Sequence, residues 1–507
     1  MGKLSPHMPP RSLGRILISL GPGMIIAGSI VGSGELIATT KVGAVAGFWL
    51  LWLIVLGCVI KVFVQVEFGR HTLIWSQTPL EALNSLPGPR WKVNWLLWCW
   101  AVMTVLVITQ QGGIVGGVGQ TMAMTWPLTQ EGTEYNQRQN DLIQAKVQLA
   151  LLETQQPDSP DIPVWQEKIS RLIAQKDSGK EPRDSYLWAI LIAVVTSILL
   201  YVGRYSLIQM VSTVLVAGFT LVTVLTVLLL QTKSEWAIRS SEVFQGLRFQ
   251  LPPRAEGSSL NPIATALGAF GIIGVGAAEL IMYPYWCLEK GYARFTGPRE
   301  DNPDWLARAK GWLRILHIDA FASMVVYTFV TVAFYLLGAA VLGRTHLNPQ
   351  QGDMIRTLKE MYVPVFGTWS DGVFLLGAFV VLYSTFFIAA AGNSRMVADA
   401  MGLIGIHDKS ERTRQRWTRW ISTAWPLLAV LAYVFFKAPV AMVLASGIAQ
   451  AVMLPLLGVG ALYFRYRRSV GQLKPSRIWD LLLWLSFGGF LITGVWSLYS
   501  QLGMWFS

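Results

Sequence analysis

Eleven stretches of this chain are apolar over the length of a bilayer-crossing helix, at 14–40, 43–66, 94–124, 187–203, 207–231, 261–288, 313–342, 372–394, 417–436, 439–464 and 479–502. The hydrocarbon layer takes about 20 predominantly apolar residues per helix. Within it every backbone N–H and C=O must be satisfied by the chain itself, which for runs of this length selects helices. Composition agrees: 53% of the 507 residues are hydrophobic and 14% charged, with a mean hydropathy of +0.45, whereas a soluble domain carries charge on about a quarter of its residues. The expectation is an all-α integral membrane protein. The first stretch has no small-residue cleavage site behind a compact apolar region and reads as a retained helix. Aromatic residues crowd the ends of apolar runs, as in "NWLLWCW" at 94–100, where amphipathic rings favour the headgroup layer. Cys58, Cys99 and Cys287 show neither C-x-x-C spacing nor an even count, so they suggest no disulfide framework or zinc site.

Of the 41 lysines and arginines, 24 fall in loops on one side if the N-terminus is cytoplasmic. The positive-inside rule then places the N-terminus inside and the C-terminus outside, with a bacterial-type plasma membrane as the expected location. The net charge of +12 is thereby a matter of loop topology and anionic lipid headgroups, not of nucleic-acid binding. The chain divides into spans one to three (1–127), a polar insertion (128–185) and spans four to eleven (186–507). Within the insertion, Leu142, Val147 and Leu149, then Val164, Ile169 and Leu172, recur at helical spacing on either side of "PDSPDIP". This predicts a helical hairpin outside the membrane whose protein partner, if it has one, is unknown.

The first and sixth spans share a second feature. "IVGSGELIAT" at 30–39 and "GVGAAELIMY" at 274–283 both carry V-G-x-x-E-L-I, inside helices studded with glycine. Spans one to five and six to ten form two halves, and an odd number of spans per half inverts one half relative to the other. Paired interrupted helices at corresponding positions of such halves point to a transporter's central site. Gly32, Ser33, Gly34 and Glu35, with Gly276, Ala277 and Glu279, are therefore the candidate cation-binding residues, with Tyr283 and Gln450 as further oxygen donors. Glutamates at membrane depth are functional hypotheses by default, and a position just after a break is electrostatically comfortable for them. Purely structural roles, such as pairing of Glu35 with Lys41 or Arg395, are the alternative. If the two carboxylates face one another, repulsion would leave a proton in the empty site that a cation could displace. Asp319 and His317 in span seven, and Glu67 and Arg70 at the inner end of span two, are candidate relay or gate groups. Arg395 and Asp399 have the spacing of an ordinary helix salt bridge.

The residues resemble a known family. "GPGMIIAGSIVGSGELIATTKVGA" at 21–44 is similar to the first helix of the Nramp divalent-metal transporters. "LLWLIVLGCVIKVFVQVEFGRHT" resembles the second, with Gln65 and Arg70 in a Q-x-x-x-x-R pattern; "LHIDAFAS" (316–323), "YSTFFIAAAGN" (383–393) and "ASGIAQAVMLPLLGVGAL" (445–462) resemble the seventh, eighth and tenth. The resemblance implies a LeuT-type fold, a 5+5 inverted repeat of about eleven spans with helices one and six broken. The site departs from the family pattern. Where the family has Asp-Pro-Gly-Asn this chain has Gly32, Ser33, Gly34 and Glu35; the family's methionine ligand aligns with Leu280, its Pro-His-Asn with Ile281, Met282 and Tyr283, and its tenth-helix glutamine with Gly447. "VLVITQQGGIVGG" at 105–117 lacks the third-helix carboxylates.

A thioether favours soft metals, whereas oxygen-only surroundings suit harder cations. The expected function is an Nramp-like secondary transporter of a divalent metal cation with altered selectivity, with Glu35 and Glu279 as the metal ligands, possible proton coupling and no cofactor. The alternatives are a transporter of a non-metal solute, such as an amine, and a non-transporting sensor on the same scaffold. The sequence offers no nucleophile–base set or phosphate loop of an enzyme.

Overall fold

The structure is a computed structural model that describes residues 6–177, 182–202, 205–253 and 261–506. Helix Leu13–Ser19 stands apart from span one, because the chain turns at Leu20 and Gly21 before Pro22 opens the next helix. Nine helices among the described residues are long and apolar enough to cross a membrane, from Pro22–Ala46 and Leu51–Trp75 to Pro439–Arg467 and Arg477–Ser500. The remaining two predicted spans are Tyr205–Leu230, whose described apolar part is Ala217–Leu230, and the broken pair Pro262–Phe270 and Ala277–Lys290. All eleven predicted apolar runs therefore have a helical counterpart.

The two glycine-bearing spans are interrupted in different ways. Span one runs as α-helix Pro22–Ile30, widens into a π-helix over Val31–Thr39, and closes as α-helix Thr40–Ala46. A π-helix keeps its backbone hydrogen-bonded, with i→i+5 bonds in place of i→i+4. Glu35 consequently sits in mid-helix and not, as expected from the sequence, beside a helix N-terminus. Span six separates outright. Its first half is capped by Asn261, which accepts from Ile263 N and Ala264 N; the chain unwinds from Gly271; and Gly276 is the N-cap of the second half. Gly274 within the unwound stretch has φ +61°, in the region that glycine adopts without a Cβ penalty.

Packing sets the stage for the site. The second half of span six lies against spans one, two and eight, its first half against span ten, and span seven against spans one and two. Around these, span three packs on spans four, eight, nine and ten.

The polar insertion forms two helices, Gln130–Gln155 and Ile162–Asp177, joined through the proline-rich segment; its residues 178–181 lie outside the described residues. Leu142 is buried, whereas Val164 points outward. Asp184 ties the base of the insertion together, accepting from Leu128 N at 2.7 Å, Thr129 N at 3.1 Å and Thr129 Oγ1 at 2.8 Å. Arg356, between spans seven and eight, holds the first helix through Asn136 Oδ1 at 2.7 Å and through Asn140.

Candidate functional site

The centre of the molecule is organised around the unwound stretch of span six. Glu35 reaches it from span one: its Oε1 accepts from Gly274 N at 3.1 Å and from Thr331 Oγ1 of span seven at 2.9 Å. Its other oxygen, Oε2, is buried and has no hydrogen-bond partner among the described residues. Glu279 stands in the first turn of the second half-helix, where the helix dipole favours an acidic group, and its Oε1 accepts from Ser29 Oγ at 3.4 Å. Oxygens crowd the N-cap: a Cβ placed on Gly276 would lie 2.4 Å from Glu279 Oε2, 2.6 Å from Gln450 Oε1 and 3.1 Å from Gly271 O.

A hydrogen-bonded amide chain connects this N-cap to spans one, three and ten. Gln450 Oε1 accepts from Ala278 N at 3.1 Å, Gln450 Nε2 donates to Gln110 Oε1 at 2.9 Å, and Gln110 Nε2 donates to Ser33 Oγ at 3.0 Å. Ser446 Oγ also donates to Gln110 Oε1, at 2.7 Å. Gly32, Ser33, Gly34, Glu35, Gly276, Ala277, Glu279 and Gln450 are thus brought together, all buried.

The other sequence candidates fall elsewhere. Asp319 caps the start of span one, accepting from Gly21 N at 2.8 Å and Gly23 N at 2.6 Å, and Tyr283 Oη donates to the same carboxylate at 3.1 Å. Tyr283 therefore joins spans six and seven and is bonded away from the glutamates. Glu67 and Arg70, both buried, form a cluster of their own with the half-buried His317. Arg70 Nε donates to Glu67 Oε1 at 3.2 Å, Arg70 Nη2 lies 3.2 Å from His317 Nε2, and Trp479 Nε1 of span eleven donates to Glu67 Oε1 at 2.6 Å.

Two pairings expected from sequence are replaced by others. Lys41 donates to Asn348 Oδ1 and Pro349 O, so it does not serve Glu35. Arg395 pairs with Glu289 and covers the Trp286 ring, while Asp399 accepts from Thr78 Oγ1 and Tyr285 Oη at 2.6 Å each. The predicted Arg395–Asp399 bridge fails because each side chain finds a partner on a neighbouring helix.

Sequence reading missed three residues of the centre. Lys61 of span two is buried and donates to Ile273 O at 2.6 Å and to Phe270 O. A lysine inside an apolar span is itself a signal, although nothing local says which helix it serves. Gln110 and Thr331 carry no such mark: an amide and a hydroxyl in apolar helices have many uses. Among the described residues no group of three or more His, Cys, Asp or Glu side chains could hold a metal ion, so a cation here would draw its remaining ligands from carbonyl, amide and hydroxyl oxygens.

Two glycines at which the resemblance aligns a larger family side chain are closed by their neighbours. At Gly32, where the family carries its aspartate, a Cβ would lie 2.6 Å from Thr385 Oγ1 and 2.9 Å from Val381 O, and Gly32 N already donates to that hydroxyl at 2.8 Å. At Gly447, where the family carries its glutamine, a Cβ would lie 2.1 Å from Gly268 O. Neither side chain has room.

Residues 182–500 match the family described as natural resistance-associated macrophage protein-like, Nramp. No curated protein matches the chain. Among solved structures, a histidine-to-alanine variant of the Eremococcus coleocola manganese transporter is 15% identical with a TM-score of 0.62, covering 100% of this chain and 92% of that one. The same transporter bound to an aromatic bis-isothiourea compound gives 15% and 0.60, over 100% and 91%. MhsT in complex with L-phenylalanine gives 14% and 0.55, over 96% and 99%. At these identities the likenesses show the fold, the LeuT-type arrangement of inverted five-span halves. With the family match spanning most of the chain, the sequence belongs to the Nramp family.

Proposed function

We propose that this protein moves a divalent metal cation across the membrane, with a preference shifted toward harder cations than the family's sulfur-bearing site favours. The observation that carries this reading is the convergence of Glu279, Gln450 and the Gly271 carbonyl on the N-cap of a broken helix, with Glu35 bonded to the same unwound stretch at Gly274 N. These are hard oxygen donors, suited to magnesium, calcium or manganese. The second oxygen of Glu35, buried and without a hydrogen-bond partner among the described residues, is a further oxygen donor. The N-terminus lies in the cytoplasm of a bacterial-type plasma membrane, and the C-terminus and the hairpin lie outside, as loop charge dictates. The hairpin is fastened to the rest of the protein through Arg356 and Asp184.

Uptake into liposomes of purified wild type and of the Glu35→Gln/Glu279→Gln variant, with manganese, magnesium and calcium compared and a pH dye inside, tests the reading. Divalent influx that the double variant loses supports it, and acidification of the lumen in step with influx adds proton coupling. Absence of influx for all three metals, or influx that the double variant keeps, overturns it.

A further inference from the structure

The ammonium of Lys61 sits where a small cation would be expected. Phe270 is the last residue of the first half-helix of span six and Ile273 lies in the unwound stretch; Lys61 Nζ bonds the carbonyls of both. A helix C-terminus carries the negative end of the macrodipole, and unwound carbonyls beside such an end are the means by which discontinuous helices hold small cations. The Phe270 ring adds its face, its centroid 4.6 Å from Nζ. Glu35 and Glu279 both lie within electrostatic range of the same ammonium. Glu35 is also joined to the stretch itself through Gly274 N, one residue beyond Ile273. Carbonyls, dipole, ring and carboxylates are all cation-seeking groups, and the cation they meet is covalently part of the chain.

We propose that the Lys61 ammonium is the resident cation of the span-six break, filling with a tethered charge a carbonyl site that would otherwise hold a free monovalent cation. A neutral donor, a glutamine or a serine, would satisfy the carbonyls without bringing a charge to membrane depth, which is costly for lysine at a helix centre. The use of an ammonium there is explained by what surrounds it: two glutamates that a single fixed positive charge offsets in part. Two consequences follow. The wild-type protein needs no soluble monovalent ion at this position, because the place is taken and the lysine cannot leave. Cutting the side chain back to alanine opens a vacancy shaped for a primary ammonium and lined by the same oxygens.

The test is thermal unfolding of the purified full-length protein, which does not depend on whether or what divalent cation the protein carries. Wild type and Lys61→Ala are each titrated with sodium, potassium, ethylammonium and choline chlorides at constant ionic strength. For wild type the expected result is a Tm that is the same in all four salts. For Lys61→Ala it is a lowered Tm that ethylammonium restores saturably by a few degrees, as a ligand selective for the native state does, with no such effect from choline, which has no N–H to offer. A saturable rise of the wild-type Tm with sodium or potassium overturns the proposal, since a free ion would then be held in addition to the lysine. A folded Lys61→Ala variant indifferent to ethylammonium overturns it as well. If Lys61→Ala yields no folded protein in any salt, the wild-type titration still decides: ion independence supports the resident charge and ion dependence rejects it.

Discussion

The first and sixth spans carry the same seven-residue pattern and use it differently. Span one stays wound through its copy, and the hydroxyls of the next turn take up carbonyls that the wider pitch loosens: Thr39 Oγ1 donates to Gly34 O at 2.8 Å and Thr40 Oγ1 to Glu35 O at 3.4 Å. Span six has Tyr283 and Pro284 in place of those threonines and glycines at 271, 274 and 276 within or beside its break. It unwinds, and its carbonyls look to another helix for donors and find Lys61. The difference teaches that a repeated motif in two inverted halves specifies where an interruption falls, while the residues flanking it specify whether backbone is released. One half then supplies a side-chain acid on a wound frame, the other supplies backbone polar groups, and the acid of the first bonds the backbone of the second.

Three substitutions would break or sharpen this contrast. The largest effect is expected from Gly32→Asp, which restores the family's aspartate to span one. With Thr385 and the Val381 carbonyl already in contact range, overpacking and a buried charge together should cost more than about 3 kcal/mol. Size-exclusion chromatography of the detergent-solubilised variant should show little folded monomer, with partial recovery on adding Thr385→Ala. A Gly32→Asp protein that elutes and melts like wild type would mean that span one can yield as span six does. Next comes Asp319→Ala, which removes the acceptor of two backbone N–H groups at the start of span one. A loss of about 2 kcal/mol, with hydrogen exchange accelerated at Gly21 and Gly23 but not in the second half of span six, would show that the two interruptions are anchored independently. Uniform acceleration across both would show that they are one unit. The smallest effect belongs to Thr331→Val, which deletes one of the two hydrogen bonds to Glu35. Interhelical hydrogen bonds in membranes average about 0.6 kcal/mol, so a Tm shift of a degree or two is expected. A much larger shift would indicate that the glutamate leaves Gly274 as well and that the break itself is reorganised.

Much of the fold was legible in the linear order of residues. The eleven apolar runs matched helices because span length is fixed by bilayer thickness and needs no knowledge of neighbours. The hairpin was legible from its apolar spacing and prolines, and the paired interruptions from glycines in a context where glycine is otherwise costly. The centre was legible in part. Glu35, Glu279, Ser33 and Gln450 converge as the repeat implied, but Tyr283 and Asp319 form a separate clasp between spans six, seven and one. Glu67, Arg70 and His317 are joined to Trp479 of span eleven, a partner more than 400 residues distant in sequence from Glu67.

The sequence by itself determined that this is an α-helical membrane protein with two interrupted helices and two glutamates at membrane depth. Hydrophobic length and the obligation to satisfy backbone groups act locally along the chain, so they can be read along it. Only the tertiary structure decided which groups those glutamates face. Lys61 meets carbonyls 209 and 212 residues away, and Gln110 reaches Ser446 across 336. Likewise Gly32 and Gly447 are closed to larger side chains by backbone or hydroxyl oxygens of other spans. Such contacts depend on helix rotation and depth to within about an ångström, and no local pattern encodes that distance.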